Sequence, residues 1–228
     1  MIKQEGAGRP PKTRPETLRR RTAILKAATE VFGLKGYSNA SLSEIADRVG
    51  MTHAGVLHHF GSKENLLNEA VRFRDVSDLA ELGLERLPSG RALFDHLIET
   101  AFRNQERAGI VQAFVVLSAE AITDDHPTGE YFQERYRNLR REIVEAFQEL
   151  CADAGVADPD TITHAAAAIL GAMDGLQYQW LLEPGVFEVG PASRFAINAI
   201  VDAVLGPADP HPPGPAAEVV PERRASGG

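Results

Sequence analysis

A single cysteine, Cys151, among 228 residues excludes an intrachain disulfide and suits a reducing compartment. It falls near the end of a helical stripe and reads as an inert thiol rather than a redox sensor. No apolar run reaches the roughly 18 residues a membrane helix needs, and no charged-then-apolar leader opens the chain. A cytoplasmic chain that neither spans a membrane nor is secreted is therefore expected. A Gly-rich phosphate loop, a Gly-x-Ser-x-Gly elbow and a Cys–His pairing are all missing. Of the seven histidines, His96, His126, His164 and His211 are scattered, with no His/carboxylate spacing of the kind zinc uses. No catalytic residue, metal or cofactor is expected, and an enzyme is set aside. There is no internal repeat, and the length fits one large or two small domains.

What is present is concentrated between residues 41 and 67, SLSEIADRVGMTHAGVLHHFGSKENLL. Ser41 stands three residues before Glu44, the spacing of a capping box. Leu42, Ile45, Ala46 and Val49 then recur as a helical stripe. Gly50 supplies the left-handed residue that ends the helix, and Met51 is the apolar turn residue. Thr52 is an N-cap for a second short helix, about His53 to His59, whose inner side uses Val56 and Phe60. Ser62 caps a third helix at Lys63. This is the arrangement of a helix-turn-helix DNA reader. The small first turn, His53-Ala54-Gly55, allows a helix N-terminus to approach base edges. On spacing alone, two packed helices in a helical domain without nucleic acid fit equally well.

From Ile24 to Leu67 the pattern resembles the tetracycline-repressor (TetR) family of transcriptional regulators. It is carried by Phe32, Gly36 and Tyr37, by Ile45, Ala46 and Gly50, and by His59, Phe60, Lys63 and Leu66. A weaker echo is Met173-Asp174-Gly175-Leu176 followed by Trp180-Leu181-Leu182. The resemblance covers most of residues 15–205. It implies an all-α chain of about nine helices: a three-helix helix-turn-helix domain over 15–61, then an effector-binding and dimerisation domain over 62–205. A flexible basic arm over 1–14 and a disordered tail over 206–228, rich in Pro, Ala and Gly, flank these. It also implies a homodimer on a near-palindromic double-stranded operator, most often as a repressor released by a small effector. A DNA-bound scaffold for a protein partner is the alternative. Two departures stand out. Leu57 and His58 occupy the place of a tyrosine pair that touches phosphate in many members, and Ala40 occupies the place of a threonine.

Charge separates the same two parts. The chain carries a net −8, but residues 1–74 hold 13 Lys/Arg against 7 Asp/Glu, a net of +6, and the remainder a net of −14. A basic third on an acidic body keeps attraction to phosphate local. Within the arm, Gly8-Arg9-Pro10 is similar to a minor-groove hook, though a solvated tail fits the same residues. The expected DNA-facing set is Arg19, Arg20, Arg21, Ser41, Ser43, Thr52, His53, Ala54, Gly55, His58, His59 and Lys63. Of these, His53, Ala54 and Gly55 face bases. The histidines imply tighter binding as pH falls through about 6.5.

In the body, helices are expected from Ser62 to about Glu85, Arg91 to Arg107, Ile110 to Ile122, Gly129 to Ala154, Asp158 to Leu182, and Pro191 to Leu205. Ile110–Ile122 is apolar almost all round, so it is expected to be central and buried. The small stripe Ala168, Gly171 and Gly175, with Ala196, Ala199 and Ala203, is expected to pair with its copy, as the last two helices do in the resembled family. The effector is expected among Phe102, Phe114, Leu117, Tyr136, Met173, Gln177 and Trp180, with His164 as a further polar anchor. Their apolar and aromatic bias points to a hydrophobic or aromatic ligand.

Overall fold

Four side-chain caps fix where helices begin. The Ser41 hydroxyl oxygen accepts the Glu44 N–H at 3.1 Å, Thr52 that of Gly55 at 3.1 Å, Ser62 that of Asn65 at 3.0 Å, and the Asp158 carboxylate that of Thr161 at 3.1 Å. Each such cap is worth about 1 kcal/mol. Only half of the box expected at Ser41 forms: the Glu44 carboxylate turns instead to Lys35 at 2.7 Å and Arg48 at 3.8 Å. Gly50, at φ 64°, closes the first reader helix.

The computed structural model describes residues 15–81, 83, 86–154 and 158–206. The basic arm expected over 1–14 and the tail after Gly206 lie outside them. Among the described residues there are nine helices and no strand. They are α1 Pro15–Asn39, α2 Leu42–Arg48, α3 His53–Phe60, α4 Lys63–Glu81, α5 Gly90–Gln105, α6 Ala108–Glu120, α7 Gly129–Ala154, α8 Pro159–Leu182 and α9 Val189–Leu205. None of these is long and apolar enough to cross a membrane.

Two cores result. The first gathers Ile24, Ala28, Val31 and Phe32 of α1, Ile45 and Ala46 of α2, Val56 and Phe60 of α3, and Leu66 and Leu67 of α4. It is closed by Leu117 of α6 and by Tyr131 and Phe132 of α7. The second packs Leu93, Phe94 and Leu97 of α5 on Ile143 and Phe147 of α7, Ile162 and Ile169 of α8, and Ile197 and Val201 of α9. Large side chains buried in this way stabilise by about 1.5–3 kcal/mol each. The reader therefore shares its core with the body, through α6 above all.

Helix α6 corrects the expectation of an all-round buried helix. Val111, Ala113 and Leu117 are buried, while Ile110, Phe114, Val115 and Val116 are only partly so. Ile122, beyond its C-terminus, is 85% exposed. The reason is that its apolar sides do two jobs: one packs on α1 and the other faces a cavity.

Candidate nucleic-acid interface and the cavity behind it

Helix α3 turns its N-terminal end outward. Thr52, His53 and Ala54 are exposed and Gly55 is partly so, while Val56 and Phe60 anchor the helix from beneath. With Thr52 satisfying one N–H, the first turn still offers backbone donors and the positive end of the helix dipole. His58 is exposed, Leu57 and His59 are half-buried, and the two imidazoles meet edge-on with centroids 6.0 Å apart. Ser41 and Ser43 are exposed at the start of α2.

The basic residues differ in what they are already doing. Arg19 is exposed. Arg20 is exposed and paired with Glu16 at 2.7 Å, one helical turn away. Arg21 is committed inward. It donates to the His59 carbonyl at 2.7 Å, pairs with Glu69, and lies 4.3 Å from the Phe60 ring centroid. It thus ties the C-terminal end of α3, where a carbonyl would lack a helical partner, to α1 and α4. Lys63 lies over the Tyr37 ring at 4.6 Å and donates to the Ser38 carbonyl at 3.4 Å. Burial lowers the Lys63 pKa, an effect partly offset by Glu120. Burial also lowers that of His59, helped by the nearby positive charges of His58, Arg21 and Arg20.

Behind the reader, α4, α5, α6, α7 and α8 line a half-open cavity of about 930 Å³, within the range of ligand pockets, roughly 300–1,000 Å³. Phe114, Phe132, Leu97, Leu139, Leu170 and Met173 supply its apolar wall. Of the seven residues expected there, Phe114, Tyr136, Met173 and Gln177 line it and Phe102, Leu117 and Trp180 do not. Phe102 instead faces α9, where a Cβ built on Gly190 would come within 2.7 Å of its ring, and Arg194 lies 4.5 Å from its centroid. Leu117 is turned into the reader's core. His164 is exposed and also outside the lining.

The cavity is more polar than the sequence suggests. Asp75 of α4 accepts from the Tyr131 hydroxyl and lies 3.4 Å from Arg135 Nε and 3.7 Å from Arg74 Nη1. The Phe114 ring is flanked by Arg74 at 4.0 Å and Arg135 at 5.5 Å. Burial works against the Arg135 charge, but Asp75, with Tyr131, Tyr136 and Asp174, more than offsets it and raises the pKa. Further along, the Tyr136 hydroxyl donates to Asp174 at 2.7 Å. Burial raises the Asp174 pKa, against the lowering by Tyr136 and Arg135. Tyr136 was expected here, but Arg74, Arg135 and Tyr131 were missed because nothing in the spacing distinguishes them from a solvated helix face. Among the described residues no cluster of three metal-capable side chains occurs.

The small residues on the last two helices lie at the surface. Ala168, Gly171, Ala199 and Ala203 are exposed, with Gly175 and Ala196 partly so. A Cβ built on Gly171 or Gly175 would meet nothing within 4 Å. Large apolar groups share these helices: Tyr178 is 54% exposed, Leu182 68% and Phe195 78%.

Comparison with known proteins matches the chain twice. Residues 24–70 fit the model described as bacterial regulatory proteins, tetR family, and residues 90–206 the model described as BetI-type transcriptional repressor, C-terminal. The chain is 27% identical to the HTH-type transcriptional regulator AcrR of Shigella flexneri over 206 residues, covering 85% of this chain and 93% of that protein. It is 31% identical to the HTH-type transcriptional regulator BetI of Rhizobium meliloti over 170 residues, covering 73% and 79%. A crystal structure of a transcriptional regulator from Rhodococcus sp. Rha1 is similar in fold, with a TM-score of 0.66 at 21% identity, covering 81% of this chain and 95% of that one.

Proposed function

The chain belongs to the tetracycline-repressor (TetR) family of helix-turn-helix transcriptional regulators, which are not enzymes, and from that premise we propose that it is a dimeric repressor released from a palindromic operator by a small amphipathic molecule. The observation that carries this reading is the exposed, capped N-terminal turn of α3, seated on a buried Val56–Phe60 base and backed by a lined cavity.

In the proposed complex His53, Ala54 and Gly55 face base edges. Thr52, His58, Lys63, Ser41, Ser43, Arg19 and Arg20 reach phosphates. Arg21 is left out of the phosphate set because its guanidinium is occupied inside the reader. His59 contributes increasingly as pH falls, since burial and the positive charges of His58, Arg21 and Arg20 lower its pKa. Two readers related by a two-fold axis need recognition helices roughly 34–36 Å apart to enter successive major grooves. The exposed small and apolar face of α8 and α9 supports pairing with a second copy, since glycine at 171 and 175 allows helix backbones to approach closely.

The effector enters the cavity between α4 and α8. An apolar wall beside an Asp75–Arg135–Tyr131 cluster suits a molecule with an apolar body and a polar head, which refines the hydrophobic or aromatic ligand expected from sequence. Because Asp75 sits on α4, the helix that follows the reader, a ligand preferring one arrangement of that cluster shifts the reader's population by its differential affinity. Selecting sites from random double-stranded DNA and footprinting them tests the proposal. A two-fold symmetric protected site supports it. Selection of no sequence, or of a site without symmetry, refutes it. A thermal-shift screen against amphipathic compounds tests the effector arm: stabilisation rising with ligand concentration is expected.

A further inference from the structure

Helix α1 is not continuous. Gly36 adopts φ 70° and ψ 175°, a conformation that breaks the ladder just before Tyr37. The Tyr37 N–H, which a straight helix would bond internally, donates instead to the Glu120 carboxylate at 2.9 Å, 83 residues along the chain at the end of α6. The opening left by Gly36 is what admits this group: a Cβ built there would lie 2.1 Å from Glu120 Oε1. A few residues upstream, Gly33 allows α1 to touch α6 directly, with a notional Cβ only 2.5 Å from the Ala113 Cβ and 2.6 Å from its Cα. Two glycines in α1 therefore receive one helix of the body, with no flexible side chain between the backbones at Gly33.

The carboxylate has a second neighbour. His126, in the turn before α7, has its side chain nearly buried and brings Nε2 to 3.6 Å from Glu120 Oε2. Nδ1 of the same ring lies 2.9 Å from the Thr128 hydroxyl oxygen and 3.3 Å from the Thr128 N–H, which holds the ring with Nε2 toward Glu120. The His126 ring also meets Tyr37 edge-on, with centroids 5.5 Å apart. Tyr37 also leads into the reader: Lys63, the first residue of α4, sits over its ring and reaches back to the Ser38 carbonyl. A continuous path thus runs from His126 and Glu120 through Tyr37 to Lys63, which follows the recognition helix by three residues.

We infer that Glu120, with His126 beside it, is a positioning residue for DNA binding: it latches the kinked end of α1 to the body and so sets how α3 and Lys63 are presented to the operator. The inference rests on residues 41–67 being a DNA reader, as proposed above. Its physical logic is that Phe114, Val115, Ser118 and Ala119, on other sides of the same helix, line the cavity. A shift of α6 is delivered to α1 at the Gly33 contact and at the latch, without slack.

The test uses full-length protein, amide hydrogen exchange, and binding to a duplex selected by the wild-type protein from random DNA. Glu120→Ala is expected to speed Tyr37 amide exchange at least tenfold while α5, α8 and α9 exchange as in wild type, because a charge-assisted bond to one amide is lost. Duplex binding is expected to weaken by about threefold to thirtyfold, consistent with an effect passed through positioning rather than contact. Glu120→Gln keeps an acceptor oxygen of the same reach and is expected to recover most of both. Should Glu120→Ala fail to fold, Glu120→Asp withdraws the carboxylate by one methylene, and Tyr37 is expected to exchange faster in it than in Glu120→Gln. Unchanged Tyr37 exchange, loss of protection spread evenly through α5 and α8, or a Gln variant as impaired as the Ala or Asp one overturns the inference. Exchange at Tyr37 reads the latch without DNA, so failure to select any duplex counts against the DNA reader and not against the latch.

Discussion

Replacing Arg21 separates two roles that a basic residue beside a recognition helix can have. If it were a phosphate contact, Arg21→Ala would weaken binding to all sequences and flatten the dependence of log affinity on log salt by about 0.9. The geometry gives it a different role. One guanidinium edge donates to the His59 carbonyl at 2.7 Å, another pairs with Glu69, and the plane sits 4.3 Å from the Phe60 ring centroid. A hydrogen bond from a charged group is worth about 1.5–3 kcal/mol, and a cation–π contact at a partly exposed site about 0.5–1 kcal/mol. The ion pair adds about 0.2–1 kcal/mol, because both side chains remain roughly one-third exposed. These terms share one side chain and are not additive, so a loss of about 2–3 kcal/mol is expected for Arg21→Ala. Arg21→Lys keeps the charge but not the fork, and is expected to lose about half of that.

The assay is urea denaturation of the full chain beside a salt titration of duplex binding. Destabilisation with an unchanged salt slope is the expected result, accompanied by weaker binding because the C-terminal end of α3 is no longer fixed. A stability change under about 0.5 kcal/mol, together with a slope reduced by about one ion, would refute the structural assignment and return Arg21 to the phosphate set.

Three further outcomes are expected. Gly33→Ala should destabilise by about 1–3 kcal/mol in thermal or urea unfolding, since its new methyl would meet the Ala113 backbone at 2.6 Å; a neutral result would mean α1 and α6 separate without cost. Gly171→Arg on the open face of α8 should convert a dimer to monomer in sedimentation equilibrium while leaving helicity unchanged, and an unaltered mass would place the interface elsewhere. For His59, burial and positive neighbours lower the folded pKa below the ordinary 6.5. Between those two values the unfolded chain binds more protons, so this group's stabilising effect is full above pH 6.5 and is lost as pH falls through that window. Duplex binding should move oppositely, tightening over the same fall as the ring takes up a proton near phosphate. A His59→Gln variant with an unchanged binding profile between pH 5 and 8 would assign the effect elsewhere.

What the sequence made legible was local. Ser41, Thr52, Ser62 and Asp158 announce helix starts because a cap and its N–H lie three residues apart. Gly50 announces a helix end for a similarly local reason. The reader's core followed from periodicity, with Ile45, Ala46, Val56 and Phe60 buried as the stripe requires. Arg21 was not legible, because its partners lie 38 and 48 residues away and a row of three arginines looks alike in sequence. The Tyr37–Glu120 bond, across 83 residues, was less so. Helix α6 misled for a different reason. Apolar residues on all sides mean burial only when every side finds protein, and here Phe114 and Val115 face a cavity. Burial against core and exposure to a ligand pocket call for the same residues. Phe102 and Leu117 were assigned to the pocket on that shared chemistry, and packing placed them elsewhere.

The departures in the recognition helix give these long-range ties a common purpose. Leu57 cannot hydrogen-bond to phosphate, burial and positive neighbours lower the His59 pKa, and Arg21 is engaged by Glu69. A reader with few charged donors to spare depends on placing those it has within hydrogen-bond reach on the first encounter. Any freedom in the angle of α3 would cost ordering entropy that each mobile side chain adds to at about 0.5–1.5 kcal/mol. Arg21 removes that freedom at the C-terminal end of α3, and Lys63, held over Tyr37, removes it at the start of α4. The body completes the constraint through Gly33 and Glu120. The same rigidity makes the reader responsive. On the proposed mechanism, a small displacement behind α6 is expected to reach the recognition helix through the direct Gly33–Ala113 contact and the Glu120 latch.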